Sequence, residues 1–281
     1  MKLRILHRTE YRYAQAVRNN INELHLTPLN TPRQKLGLHL IKILPAVRLQ
    51  KYQDLYRNTV HRFEIEAPHS ELVIDASSIV ETKPTPITEI PINLPLSSVR
   101  QPEFQESFQP YLQPDGPIII TPEIWRQAID VENERHDIFS VVIGLMEKVH
   151  QLCTYVPKAT HIGTTTEEFF AKPQGVCQDY AHLLLAFCRA LQLPARYVCG
   201  YVFDAKRGEV IGSHASHAWC EIWIPTYGWL GVDPTNKKVI HEAYVASAVG
   251  RDYRDATPIT GNYWGSGDRE MRVTVHVETH K

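Results

Sequence analysis

One helix-forming stretch most constrains the fold of this chain of 281 residues. In the segment PQGVCQDYAHLLLAFCRALQL, Gln174 and Gly175 interrupt the preceding structure, and apolar residues recur at helical spacing from Cys177 onward. The pattern predicts a helix that begins at Cys177. A thiol in the first turn of a helix faces unpaired backbone N–H groups and the positive end of the helix dipole, which favours the thiolate. Cys177 is therefore a candidate nucleophile.

Two predicted strands follow this helix, and each carries a residue that can assist a thiolate. HAWCEIWIP contains His217, forty residues after Cys177, and GWLGVDPTN contains Asp233, sixteen residues further on. Acyl transfer by a thiol requires an imidazole as acid and base, and a third group that fixes the imidazole tautomer. The order helix, strand, strand supplies one residue of each type.

Three segments carry a resemblance to a known family. GVCQDYAHL, HAWCEIW and GWLGVDPTN resemble the signature segments of the transglutaminase-like superfamily, in its bacterial branch of cysteine proteases. The opening KLRILHRTEYRYAQAV is similar to the amino-terminal β domain of that branch, and VGRDYRDATPITG resembles its closing segment. The resemblance implies an α+β fold with a papain-like core, in which the helix carrying the Cys packs on an antiparallel sheet. It also implies a triad of Cys177, His217 and Asp233 for acyl transfer or amide hydrolysis.

Changes in residue pattern divide the chain into four parts. Residues 1–83 hold short alternating apolar segments separated by prolines, which predict an N-terminal β-sandwich or barrel that orients substrate or protects a sheet edge without adding a triad group. Residues 84–122 contain nine of the nineteen prolines and predict a linker that lies on the next domain. Residues 123–264 are the predicted catalytic core, and residues 265–281 contain a predicted C-terminal β-strand.

Local patterns predict the elements of the core. An apolar stripe predicts a helix from Asp137 to about Cys153, and three threonines ahead of Glu167 predict a short helix before Cys177. The polar segment 204–216 is expected to lie beside the site. Three strands are predicted after the Cys177 helix, at residues 195–203, 217–224 and 228–233.

Strand register decides whether His217 and Asp233 can meet. They share a face of the hairpin only if the numbers of paired residues have an even sum, as when residue 223 pairs with 229. In that register Asp233 lies opposite Trp219 and diagonal to His217, within reach of its side chain. An odd sum would place Asp233 on the wrong face.

Other histidines are weaker candidates for the site. If His214 lies in a strand, it faces away from His217. His182 lies about 140° round the helix from Cys177 and is expected to pack or to form a hydrogen bond. The same angle disfavours a metal site made of Cys177, His182 and His217, so neither a cofactor nor a metal ion is predicted.

The oxyanion of the reaction needs hydrogen-bond donors. The backbone N–H of Cys177 is one, because it lies at the start of the helix. Gln174, Gln178 and an aromatic N–H or O–H group remain open as the second donor. Asp179, in the first turn, is expected to cap the helix and to oppose thiolate formation slightly.

Composition limits the partners and the compartment. The net charge of −1 gives no basic surface for nucleic acid or an anionic membrane, and no stretch approaches the ~18 apolar residues of a membrane span. The chain has five cysteines, an odd number, and no two of them form a CxxC pair. This pattern favours a reducing compartment, so a cytoplasmic location is expected. Four of them are expected to be small buried apolar residues: Cys153, Cys188, Cys199 and Cys220.

These observations favour an enzyme that acts on a peptide or protein substrate. The sequence does not choose between water and an amine as the acceptor of the acyl group. The alternative is a catalytically silent binding or scaffold protein that keeps the transglutaminase-like fold. The intact set of Cys177, His217 and Asp233 favours the enzyme.

Overall fold

The computed structural model describes residues 1–205, 210–211 and 215–280. Alternating apolar residues form long strands in the amino-terminal part, and apolar stripes at helical spacing form helices in the core. The amino-terminal strands are β1 (Lys2–Leu24), β2 (Gln34–Leu44), β3 (Gln50–Gln53), β4 (Thr59–Ile65) and β5 (His69–Thr82). The helices are α1 (Pro102–Ser107), α2 (Pro122–Asn133), α3 (Ile138–Leu152), α4 (Thr166–Ala171), α5 (Cys177–Ala190) and α6 (Tyr253–Ala256). The remaining strands are β6 (Thr154–Tyr155), β7 (Gln174–Gly175), β8 (Ala195–Val202), β9 (His217–Ile224), β10 (Gly228–Asp233), β11 (Lys238–Val239), β12 (Tyr244–Gly250), β13 (Ile259–Trp264) and β14 (Arg269–Thr279).

Strand β1 organises the amino-terminal lobe. Its first half pairs with β5 and β14, and its second half pairs with β4 and β13, all antiparallel. Side chains from both halves share one apolar core that includes Leu24, Phe63 and Leu72. The predicted N-terminal β-sandwich is confirmed, but β13 and β14 from the end of the chain complete it. Pairing between the two ends of a chain leaves no mark in the local sequence pattern, so the sequence did not indicate it.

The proline-rich segment 84–122 lies along the core. Its apolar side chains pack against the same cluster as the core helices, whereas Ile92 is 78% exposed. Burial of these apolar groups anchors a segment that has little regular structure of its own. The buried residues of the segment are Ile90, Leu96, Val99, Leu112, Pro117 and Ile118.

The core is a five-stranded antiparallel sheet covered by helices. The strand order is β11-β10-β9-β8-β12, and α5 packs on β9 with α2, α3 and α4 around it. The prediction of a Cys-bearing helix on an antiparallel sheet is confirmed. In the part of the chain that the structure describes, no helix is long and apolar enough to cross a membrane.

The hairpin of β9 and β10 has the register that the site requires. Trp229 pairs with Trp223, and Val232 pairs with Cys220, so the even-sum register is confirmed. Pairing extends to Gly228 and Ile224, which leaves a turn of residues 225–227. The φ angle of Gly228 is 95°, a left-handed conformation that glycine adopts without strain.

Candidate active site

The loop before α5 holds Cys177 at the helix start. The Asp179 carboxylate accepts hydrogen bonds from the Val176 backbone N–H at 2.8 Å and from the Thr160 hydroxyl at 2.7 Å. A Cβ at Gly175 would lie 2.3 Å from Asp179 Oδ2, so only glycine permits this close approach. Burial raises the pKa of Asp179, although these hydrogen bonds oppose the rise. Asp179 therefore fixes the turn that leaves Cys177 half-buried at the tip of α5.

His217 and Asp233 form a buried pair. His217 Nε2 lies 2.8 Å from Asp233 Oδ2, and both side chains are fully buried. A carboxylate can only accept, so Nε2 carries the hydrogen of this bond. The pair forms because β9 and β10 bring the two residues onto one face of the hairpin.

The two carboxylate oxygens of Asp233 have separate roles. Oδ1 accepts hydrogen bonds from the backbone N–H groups of Thr235 at 2.9 Å and Asn236 at 3.1 Å, and so caps the turn after β10. Oδ2 accepts from His217, from the Asn236 side chain at 2.8 Å and from the Tyr244 hydroxyl at 2.9 Å. The turn and the imidazole are therefore held by different atoms of one side chain.

This environment keeps both members of the pair charged. Burial by itself lowers the pKa of His217, but the charge and hydrogen bond of Asp233, with a smaller contribution from Cys177, raise that pKa to about 10. Burial opposes ionisation of Asp233, but His217 and Asn236 lower its pKa below the usual value. The geometry therefore favours an imidazolium beside a carboxylate.

The second ring nitrogen of His217 is available to Cys177. Nδ1 is buried and has no hydrogen-bond partner within the described ranges. The Cys177 thiol lies close enough to contribute to the raised pKa of His217. Because Nε2 is occupied by Asp233, Nδ1 is the ring nitrogen that can exchange a proton with the thiol. The structure thus brings together the three residues that the sequence singled out.

The remaining cysteines are unsuited to attack. Cys188, Cys199 and Cys220 are buried, and Cys153 is half-buried. Burial raises the pKa of Cys153, Cys188 and Cys199 to about 12 and that of Cys220 well above its usual value. The expectation that they pack as small apolar residues is confirmed for the three buried ones.

His182, the other histidine candidate that the structure describes, does not belong to the pair. His182 is buried, and its Nε2 accepts a hydrogen bond from the Tyr253 backbone N–H at 3.2 Å. The expectation that it packs and forms a hydrogen bond is confirmed, and burial lowers its pKa to about 4. His214 lies outside the described residues. In the described part of segment 204–216, Ile211 is bonded to the Asn236 side chain, which places it beside the site.

Among the candidates for the second oxyanion donor, Gln178 is occupied. Its side chain donates to the Ile162 carbonyl at 3.2 Å, and Gln174 lies in the short strand β7. Tyr155 and Tyr253 are the aromatic candidates: burial raises their pKa values to about 12, and the charge of Cys177 adds a smaller rise to that of Tyr155. These hydroxyls stay protonated at neutral pH and are suitable donors.

Sequence reasoning missed two residues that hold Asp233. Asn236 lies in the same GWLGVDPTN segment, so its position three residues after Asp233 was an available clue. Tyr244 begins β12, a strand that the sequence analysis did not predict. The run YVASAVG is mostly apolar and fully buried, a pattern typical of a buried strand that could have revealed β12.

Comparisons with known proteins agree with this fold. Residues 3–81 match the bacterial transglutaminase-like N-terminal region, and residues 127–234 match the transglutaminase-like superfamily. An uncharacterized protein of Mycobacterium leprae is 33% identical over 98% of this chain and 98% of its own length. The chain belongs to the transglutaminase-like superfamily.

Two further relatives are informative. A Pseudomonas aeruginosa protein-glutamine gamma-glutamyltransferase is 36% identical over 103 residues, which are 34% of this chain and 15% of that protein. A crystal structure described as "a Putative Cysteine Protease from Cytophaga hutchinsonii" superposes with a TM-score of 0.77 at 19% identity, covering 100% of this chain and 91% of that one. The second comparison shows that the whole fold is shared.

Proposed function

We propose that this protein catalyses thiol-dependent acyl transfer or hydrolysis at peptide or glutamine-type amides. Cys177 is the nucleophile, His217 the acid and base, and Asp233 the group that orients the imidazole. The single observation that carries the proposal is the buried His217–Asp233 pair, which leaves Nδ1 available to a half-buried thiol at a helix tip. A peptide or protein is the acyl donor, and water or an amine is the acceptor.

In the first half of the proposed reaction, the Cys177 thiolate attacks the amide carbonyl carbon and a C–S bond forms. The Cys177 backbone N–H, with Tyr155 or Tyr253, stabilises the negative oxygen. The imidazolium of His217 gives its Nδ1 proton to the departing nitrogen as the C–N bond breaks. The products are a thioester on Cys177 and a free amine, or ammonia from a glutamine side chain.

In the second half, water or an amine attacks the thioester carbonyl. His217 Nδ1 takes the proton of the attacking group, and the C–S bond breaks to release the thiolate. The Asp233 carboxylate stabilises the imidazolium that forms again. Mass spectrometry of glutamine-containing peptides incubated with the protein, with and without an added amine, separates hydrolysis from transfer, and the absence of both products contradicts the proposed activity.

A labelling experiment distinguishes the enzyme from a silent binding protein of the same fold. We expect iodoacetamide at pH 7 to modify Cys177 at least tenfold faster than any other cysteine, because the other four have raised pKa values. Peptide mapping after short exposure measures each rate. His217→Ala should slow the modification of Cys177, and equal rates at Cys177 and Cys188 in the folded protein would rule out an activated thiol.

Titration of His217 tests the charged pair directly. In ¹⁵N NMR spectra, we expect the His217 imidazole to titrate near pH 10 and to return to below pH 7 in Asp233→Asn. Since the pKa in the folded state exceeds that of the unfolded chain, His217 stabilises the fold fully below about pH 6.5 and loses this contribution as the pH rises through 10. A titration near pH 6.5 in the unchanged protein would contradict the pairing.

A further inference from the structure

The two lobes enclose a cleft whose lining includes Ser216, the residue before His217. Its volume is about 500 Å³, and it lies between the inner face of the amino-terminal sandwich and the core. We call it the interlobe cleft; its lining includes Tyr11, Tyr13, Ile162, Ser216, Tyr253 and Arg269. Neither the triad nor its hydrogen bonds account for this space.

Two lining residues place one end of the cleft beside the candidate site. Ser216 directly precedes His217, and the Ile162 carbonyl accepts a hydrogen bond from Gln178, the residue after Cys177. One end of the cleft therefore lies beside residues that adjoin the candidate site.

An arginine lies on an aromatic shelf in the same cleft. The Arg269 guanidinium lies 5.4 Å from the ring centre of Tyr11 and 6.0 Å from that of Tyr263. Tyr13 contacts both rings and accepts a hydrogen bond from the buried Asn20 side chain at 2.9 Å. The aromatic shelf, made of Tyr11, Tyr13 and Tyr263, thus holds the guanidinium in position through cation–π contacts.

The described lining of the cleft carries basic side chains and no acidic ones. Among the described residues that line it, none is acidic, and Arg269 has no carboxylate within ion-pair distance in the described part of the chain. The other arginine of the lining, Arg254, is paired with Asp252 and Asp115. Arg269 is therefore the cation that can bind a substrate, and a planar guanidinium is best matched by a carboxylate.

We propose that the interlobe cleft selects an acidic peptide, whose carboxylate binds Arg269 while its reacting amide lies at Cys177. This inference rests on the proposed function and gives the amino-terminal lobe a role in substrate choice. Because Arg269 belongs to β14 and Tyr11 and Tyr13 to β1, the pairing of the two chain ends builds the binding surface. The aromatic shelf holds Arg269 in position, and Arg269 supplies the charge selection.

Matched electrophilic peptides test the selection. The probes are N-iodoacetyl tetrapeptide amides that differ only by Glu or Gln, with that residue moved along the peptide. At the best position we expect the Glu probe to modify Cys177 roughly tenfold faster than the Gln probe at low salt, with the preference shrinking at high salt. Arg269→Gln should abolish the preference, and Arg269→Glu should reverse it in favour of a Lys probe.

The control variant is Arg272→Gln, which removes the same charge from the same strand on its opposite face. It should keep the preference for the Glu probe. Arg272→Gln should also leave the rate with plain iodoacetamide unchanged. Equal rates for the Glu and Gln probes at every position, or a preference that survives Arg269→Gln, would overturn the acidic-peptide inference and leave the proposed function standing.

Binding to an inert variant separates the two proposals. Failure of plain iodoacetamide to modify Cys177 selectively would contradict the proposed function alone. The acetylated Glu and Gln peptides are then titrated into Cys177→Ala by calorimetry. Tighter binding of the Glu peptide that is lost on Arg269→Gln supports the inference, and equal affinity of the two peptides overturns it.

Discussion

Replacing Asp233 with Asn is expected to lower turnover by about 10³- to 10⁴-fold while the fold persists. In the structure Oδ2 of Asp233 accepts from three donors, on His217, Asn236 and Tyr244. An amide NH₂ in that place can bond His217 only if Nε2 gives up its hydrogen. The proton then sits on Nδ1, and the neutral imidazole can no longer take a proton from Cys177.

The stability of Asp233→Asn should change far less than its turnover, because the oxygen in the position of Oδ1 is kept. Asn retains an acceptor where Oδ1 receives the backbone N–H groups of Thr235 and Asn236, so the turn after β10 persists. We expect a loss of about 1–2 kcal/mol in the free energy of unfolding. Turnover and Tm are measured beside Asp75→Asn, which makes the same change at a carboxylate paired with Arg8 on the surface. Near-normal turnover of Asp233→Asn would remove Asp233 from the mechanism.

The sequence predicts those parts of the site that depend on local pattern. The helix that begins at Cys177, the short helix capped by Thr165 and Glu168, and the strand that carries His217 all follow from periodicity and capping within a few residues. The register of β9 and β10 also follows, because only an even sum places His217 and Asp233 on one face. Local sequence patterns and one requirement on strand register are therefore enough to predict these parts of the site.

The parts of the site that the sequence does not predict depend on contacts between distant parts of the chain. Tyr244 reaches Asp233 because β12 pairs with β8, and nothing near residue 244 indicates that partner. Arg269 meets Tyr11 only because β14 pairs with β1 from the opposite end of the sequence. Pairing over such separations is selected by packing of the whole fold, so a single sequence does not reveal it.

The same helix that presents Cys177 is anchored at its other end by a buried cation. Arg189 is fully buried, and its guanidinium donates to the backbone carbonyls of Gln113, Ala195 and Arg251. Burial lowers the pKa of Arg189 to about 10, and the nearby charge of Asp252 opposes this fall. The arginine thus ties α5 to the proline-rich segment, to β8 and to the loop after β12.

Replacing Arg189 with Met is expected to lower the free energy of unfolding by about 3–5 kcal/mol, because it leaves the carbonyls of Gln113, Ala195 and Arg251 without this charged donor. Turnover per folded molecule should stay near normal, since Arg189 lies at the far end of α5 from Cys177. Thermal unfolding and active-site titration measure both quantities, with Arg12→Met as the control at an arginine whose side chain is 72% exposed. An unchanged Tm would contradict the anchoring role. A turnover loss matching that of Asp233→Asn would mean that the carboxyl end of α5 also sets the geometry of Cys177.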